Sequence, residues 1–194
     1  MSKGDETRTA ILAEAARLAS TVGLNALSVG MLAERTGLSK SGLFAHFKSK
    51  EQLQVQTLEY AGRLFVDVVL RPALTAPRGE KRVRVLFEHW LEWETETLPG
   101  GCVFAAASTE FDDQPGPVRD ALVRQQRDWG DSIAAIAATA VAEDDFRPDV
   151  EPAQFSFELQ GIMTAFQRSA RLLGDPLARE RTMIAFDRLI DSAH

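Results

Sequence analysis

Apolar residues recur along this chain at intervals of three and four, with no alternating stretch long enough for a strand. Ile11, Leu12, Ala15, Leu18, Ala19 and Val22 share one face and Gly23 follows them, which predicts a helix closed by a residue that tolerates left-handed backbone. Ser28 offers a hydroxyl cap to a short second helix with Val29, Leu32 and Ala33 inward and Gly37 at its end. Ser39 caps a shorter third helix in which Leu43 and Phe47 lie on one face. Ser49 and Gln52 have capping-box spacing and open a fourth helix through Leu53, Leu58, Ala61, Leu64, Phe65 and Val68, which Pro72 is expected to end.

Beyond the "LTAPRG" break, Val83, Leu86, Phe87, Trp90 and Leu91 form the stripe of a fifth helix that stops near "LPGG". A brief sixth helix around "CVFAAASTEF" ends at "DDQPGP", and a seventh runs from about Val118 to Val141. After the acidic connection "EDDFRPDVEP", an eighth begins near Ala153, and "GDP" separates it from a ninth. The expected fold is therefore all-α with nine helices, without internal repeats.

Composition narrows the class. A chain of 194 residues, 45% apolar and 26% charged, is globular rather than disordered. The run "IAAIAATAVA" falls short of the roughly 18 apolar residues that span a bilayer, so no membrane partner is expected. Glu14 and Arg17 interrupt the first apolar stretch, which argues against a secretory leader and for a cytoplasmic protein. The lone Cys102 has no internal disulfide partner, and His46, His89 and His194 are scattered, so neither a metal site nor a cofactor is expected. Net charge is −6, yet residues 1–50 carry +3 against −9 for the remainder. A basic head of residues 1–50 on an acidic body of residues 51–194 points to a polyanionic partner for the head.

Residues 29–47 have the spacing of a helix-turn-helix. Ala33 lets two helices cross closely, Gly37 permits the turn, and Leu43 pins the second helix to the first. The outward positions of that second helix are Ser39, Lys40, Gly42, Phe44 and His46, which suit the edge of a DNA major groove. Lys48 and Lys50 flank the capped start of the fourth helix, where free amides and the helix dipole favour a phosphate.

The stretch Thr7 to Leu53, with "TGLSKSGLFAHFKSKEQL" at its end, resembles the N-terminal DNA-binding domain of the TetR family of bacterial transcriptional regulators. Counterparts are present for that family's glycine-ended first helix, its capped second helix, its reading helix and its "SKExL" entry to the fourth. Phe44 stands where the family usually has Tyr, and Leu27 and Gly30 stand where more polar residues are common. The resemblance implies backbone or base-edge contacts from Ser28, Lys40, Ser41, His46 and Lys50, with Ser39, Gly42 and Phe44 beside them. It further implies an operator in double-stranded DNA, a homodimer, and a small-molecule effector that relieves repression.

The body allows both of the latter. The eighth helix carries Phe155, Leu159, Ile162, Met163, Phe166 and Leu173, and the ninth carries Phe186, Leu189 and Ile190. Two such hairpins across a two-fold axis would make a four-helix dimer interface. In the family the effector cavity lies among the body helices, which here carry Phe65, Phe87, Trp90, Trp93, Phe104, Phe111, Trp129 and Phe166. His89, Glu94, Cys102, Gln160 and Gln167 are the candidate polar handles. A nucleophilic Cys102 would need a base and an orienting group that no sequence signature supplies, so no enzyme is expected. The alternatives are a ligand- or partner-binding helical module that does not read DNA, and a redox or electrophile sensor built on Cys102.

Overall fold

The computed structural model describes residues 3–194. Met1 and Ser2, the start of the expected head, lie outside the described residues. Among those described there are nine helices and no strand: α1 (Lys3–Val22), α2 (Val29–Thr36), α3 (Lys40–His46), α4 (50–75), α5 (80–97), α6 (Val103–Phe111), α7 (Pro117–Ala142), α8 (152–172) and α9 (Ala178–Ala193). Three of them contain a wider π turn, at Val66–Leu70 in α4, Trp93–Thr97 in α5 and Arg168–Leu172 in α8.

The helix starts follow the predicted caps. Ser28 Oγ accepts from Met31 N at 3.2 Å, Ser39 Oγ from Gly42 N at 3.1 Å and Ser49 Oγ from Gln52 N at 3.0 Å. The Gln52 side chain reaches one residue further back than a capping box requires, accepting from Lys48 N at 2.7 Å. Gly23 and Gly37 both adopt left-handed backbone, with φ of 88° and 68°. Pro72 departs from expectation, because α4 continues past it to Thr75. The π turn just upstream opens the backbone where the proline ring would otherwise press on the carbonyl of residue 68.

The chain divides into two compact units. Unit one comprises the chain through Val68 together with Leu91–Gln125; unit two comprises Val69–Trp90 and Gln126–His194. In unit one, α1 packs against α2, α4 and α6. Its interior holds Ala15, Ala16, Ala19, Leu24, Leu27, Leu32, Leu43, Phe47, Leu53 and Leu58, each fully enclosed. Leu27, immediately before the Ser28 cap, therefore faces the core, where burying a leucine contributes about 1.5–3 kcal/mol. In unit two, α8 packs along α9. Its core contains a ring stack in which Phe87 lies 3.9 Å from Phe186, while Trp90 meets Phe87 at 5.6 Å and Phe166 edge-on at 5.7 Å.

Candidate functional site

The helix α3 is only seven residues long, and two buried side chains orient it. Leu43 and Phe47 are completely enclosed, and Phe47 N donates to Leu43 O at 2.9 Å to end the helix. Arg8 of α1 supports this end, with its guanidinium over the Phe47 ring and Nη2 donating to Gln56 Oε1 at 2.7 Å. With the apolar pair turned inward, Ser39, Lys40, Ser41, Gly42 and Phe44 are exposed, and His46 is half-buried beside Phe47. Phe44 leaves 52% of its surface in solvent, which is unusual for so large a ring and fits a residue that packs on a sugar or a thymine methyl. Gly42 has a local task as well, since a Cβ there would sit 3.2 Å from the capping Oγ of Ser39.

Gly30 acquires a role that its helix propensity hides. The Lys40 ammonium lies 3.9 Å from where Gly30 would carry a Cβ, and the Ser28 hydroxyl lies 3.8 Å from it. A long side chain at position 30 would displace Lys40. As it is, a cation, a hydroxyl and the free amides of the first turn of α2 converge on one point, a combination that favours phosphate. Lys48 is exposed. Lys50 is exposed too, but its Nζ donates to Asn25 O at 2.6 Å, so part of its hydrogen-bonding capacity holds the fold together.

That lysine belongs to a set of contacts at the corner between α1 and α2. Gln54 Nε2 donates to Leu24 O at 2.9 Å, and Asn25 N donates to Glu110 Oε2 of α6 at 2.8 Å. Gly100, in the turn before α6, donates its N–H to Ser20 Oγ at 3.0 Å. A Cβ on Gly100 would overlap the Ser20 carbonyl, and one on Gly23 would overlap the Glu110 carboxylate. Sequence reading missed Gln54, Glu110 and Gly100 here, because each acts through a partner at least 30 residues away.

The candidate ligand residues fall into two sets. Unit one holds Phe65, Trp93, Cys102, Phe104 and Phe111; unit two holds Phe87, Trp90, Trp129 and Phe166. In unit one, Phe65 meets Trp93 edge-on at 5.1 Å and Phe104 at 6.3 Å, and Trp93 stacks on Phe104 at 6.4 Å. Trp93 is fully buried and its Nε1 has no hydrogen-bond partner. Glu94 beside it is 3% exposed and is the one buried charged residue among those described. Burial of the Cys102 thiol, with the Glu94 charge adding to it, pushes its pKa up to about 12. Of the other handles, Gln160 is tied to Ser156, whose hydroxyl it meets at 3.2 Å.

The expected dimer residues are also divided. Phe155, Leu159, Met163, Phe166, Phe186, Leu189 and Ile190 are buried within a single protomer; Phe155 meets Phe146, Phe166 and Phe186 join the ring stack, and Leu189 lines the outward groove on α8 and α9. Ile162 is half-buried and Leu173 is 64% exposed. The outward side of the pair carries a groove of about 730 Å³ floored by small residues, Gly161, Ala165 and Ala185, with Glu158 and Arg188 on its rims. Phe157, Leu172 and Ile184 are exposed on the same two helices.

No helix among the described residues is long and apolar enough to cross a membrane. The family model described as "Bacterial regulatory proteins, tetR family" matches residues 11–56, and "Tetracyclin repressor-like, C-terminal domain" matches residues 79–186. No curated protein sequence matches the chain significantly. Among solved structures, a TetR transcriptional regulator from Chloroflexus aurantiacus is similar over 98% of this chain and 96% of its own, with TM-score 0.86 and 24% identity. A TetR-family regulator from Cytophaga hutchinsonii is similar over 98% of this chain and 94% of its own, with TM-score 0.83 and 21% identity. AibR, solved in complex with isovaleryl coenzyme A and operator DNA, covers 91% of this chain and 97% of its own, with TM-score 0.69 and 23% identity.

Proposed function

Because the chain belongs to the TetR family and is thus a DNA-binding transcriptional regulator, we propose that it is a cytoplasmic homodimeric repressor, released from a palindromic operator by a small molecule. Residues 1–50 bind DNA in this reading, and residues 51–194 bind the effector and dimerise. The observation that carries it is the α3 surface, where buried Leu43 and Phe47 hold Lys40, Phe44 and His46 outward beside the capped starts of α2 and α4.

Lys40 and Ser28 meet a phosphate at the start of α2, Lys48 another at the start of α4, and Ser39, Ser41, Gly42, Phe44 and His46 approach base edges or sugars. Lys50 contributes mainly by fixing the corner at Asn25. The outward groove on α8 and α9 receives a second copy, with Glu158 of one protomer near the basic rim of the other, as two-fold symmetry allows. Two heads must enter successive major grooves about 34 Å apart, so a small change in their separation weakens binding. Contacts from Gly100 and Glu110 to the α1–α2 corner offer a route by which an effector near Trp93 and Phe104 reaches the reading helix. The AibR complex supports the pairing of a small-molecule ligand and an operator on this fold.

Selection of bound fragments from random duplex DNA tests the reading. The expected product is a two-fold symmetric site with half-sites one helical turn apart, and recovery of no sequence, or of an asymmetric one, would refute it. A sensor based on Cys102 is disfavoured by its protonated thiol, although the residue itself is partly exposed. Native protein at pH 8 should react with iodoacetamide about a thousandfold more slowly than the denatured chain, in proportion to the missing thiolate.

A further inference from the structure

We propose that a cleft in unit one, lined by none of the rings around Trp93, binds a free α-amino acid with an apolar side chain. The cleft has a volume of about 310 Å³, at the low end for a small-molecule site, and lies between the first turn of α4 and the turn that joins α6 to α7. The one buried polar side chain in its lining is Gln54, which is 4% exposed. The bond from its Nε2 to Leu24 O fixes which way the amide faces, because a carbonyl can only accept. The opposite atom, Oε1, accepts no hydrogen bond among the described residues, yet it is not sealed inside the protein. It therefore opens on the cleft, where a donor from outside the chain can meet it.

The two charges of the ligand follow from the lining on either side. Lys50 brings an ammonium whose Nζ uses one of its three N–H groups on Asn25 O, leaving two to donate. Glu51 brings a carboxylate oxygen that lies 3.6 Å from where Gly116 would carry a Cβ, and the bare glycine, at φ 143°, leaves that oxygen uncovered. Neither charge is in an ion pair among the described residues. Exposed as they are, both are solvated and neither requires a ligand, but together they select one. A pure anion is drawn by Lys50 and opposed by Glu51, and a pure cation the reverse, whereas a zwitterion is met on both sides. The carboxylate of an amino acid accepts from Lys50, and its ammonium donates to Glu51 and to Gln54 Oε1, all of them charge-assisted bonds. Phe111 and Val118, both buried, supply the apolar part of the wall for its side chain. So seated, the molecule joins the first turn of α4 and Asn25 at the α1–α2 corner to the α6–α7 turn.

Calorimetric titration of the full-length protein near pH 7 with four matched probes tests the assignment. L-Leucine carries every feature, isoamylamine is leucine without the carboxylate, 4-methylpentanoate is leucine without the ammonium, and glycine lacks the side chain. Leucine should bind about tenfold more tightly than either singly charged analogue, and more tightly than glycine. Glu51→Gln should shrink the advantage of leucine over 4-methylpentanoate, and Lys50→Gln its advantage over isoamylamine, each by about threefold or more. Leucine binding no tighter than the analogues overturns the ligand class. An unchanged ratio of leucine to 4-methylpentanoate in Glu51→Gln overturns the site, and so does leucine that does not bind at all. Glu51 makes no hydrogen bond or ion pair through its side chain among the described residues, so that variant should keep the fold. Should Lys50→Gln loosen the corner at Asn25, Glu51→Gln and the ratios on the native protein decide. None of these readouts uses DNA, so the operator selection judges the regulatory reading separately.

Discussion

The short helix α3 and the pair α8–α9 are written in the same apolar periodicity, yet they present opposite surfaces. In α3 two apolar residues, Leu43 and Phe47, turn inward, and apart from Phe44 the outside is polar or small. In α8 and α9 the strongest apolar face is used up inside the protomer, and the outside still shows Phe157 at 72%, Leu172 at 76% and Ile184 at 45% exposure. Burial of apolar residues is a one-way rule, so an unusually apolar outer face is the informative part of a helix, while its most regular stripe reports the protomer's own core.

Substitutions on the two faces of each element should separate these roles. Met163→Ala and Leu43→Ala both empty buried space and should each cost about 2–5 kcal/mol in chemical denaturation. Their outward neighbours should behave differently. Ala165→Arg, on the groove floor, should leave the monomer's stability nearly intact but shift sedimentation from dimer to monomer, and a retained dimer would move the interface elsewhere. Phe44→Ala should change stability by no more than about 0.5 kcal/mol while weakening operator binding. Smallest is the contrast between two lysines: Lys40→Ala should lower the salt dependence of operator binding by about one phosphate contact, whereas Lys50→Ala should act mainly on stability. Equal salt slopes for both would erase the distinction drawn from the Asn25 contact.

The sequence carried what is local. Ser28, Ser39 and Ser49 announce helix starts because capping needs only neighbouring amides, and Gly23 and Gly37 announce ends because only their own backbone is at stake. Pro72 misled because the π turn that accommodates it has no comparable single-residue signal. The exposed side of α3 was legible by subtraction once Leu43 and Phe47 were assigned inward. What stayed hidden depends on distant partners. The place of Lys40 over Gly30, the bond from Lys50 to Asn25, the hold of Glu110 on the corner and the unmet indole of Trp93 all arise from tertiary contacts. On α8 and α9, periodicity identified apolar faces but could not rank which one the protomer would keep for itself.

Gly100 rests so close to the end of α1 that even a methyl group would overlap the Ser20 backbone. A junction without slack behaves as a strut: it cannot damp a displacement of the loop before α6, so any shift there must be passed on or resisted whole. Enlarging that residue would therefore pry the loop off the end of α1 and break the Gly100–Ser20 bond, leaving the helices beyond Ser20 deaf to movement of that loop.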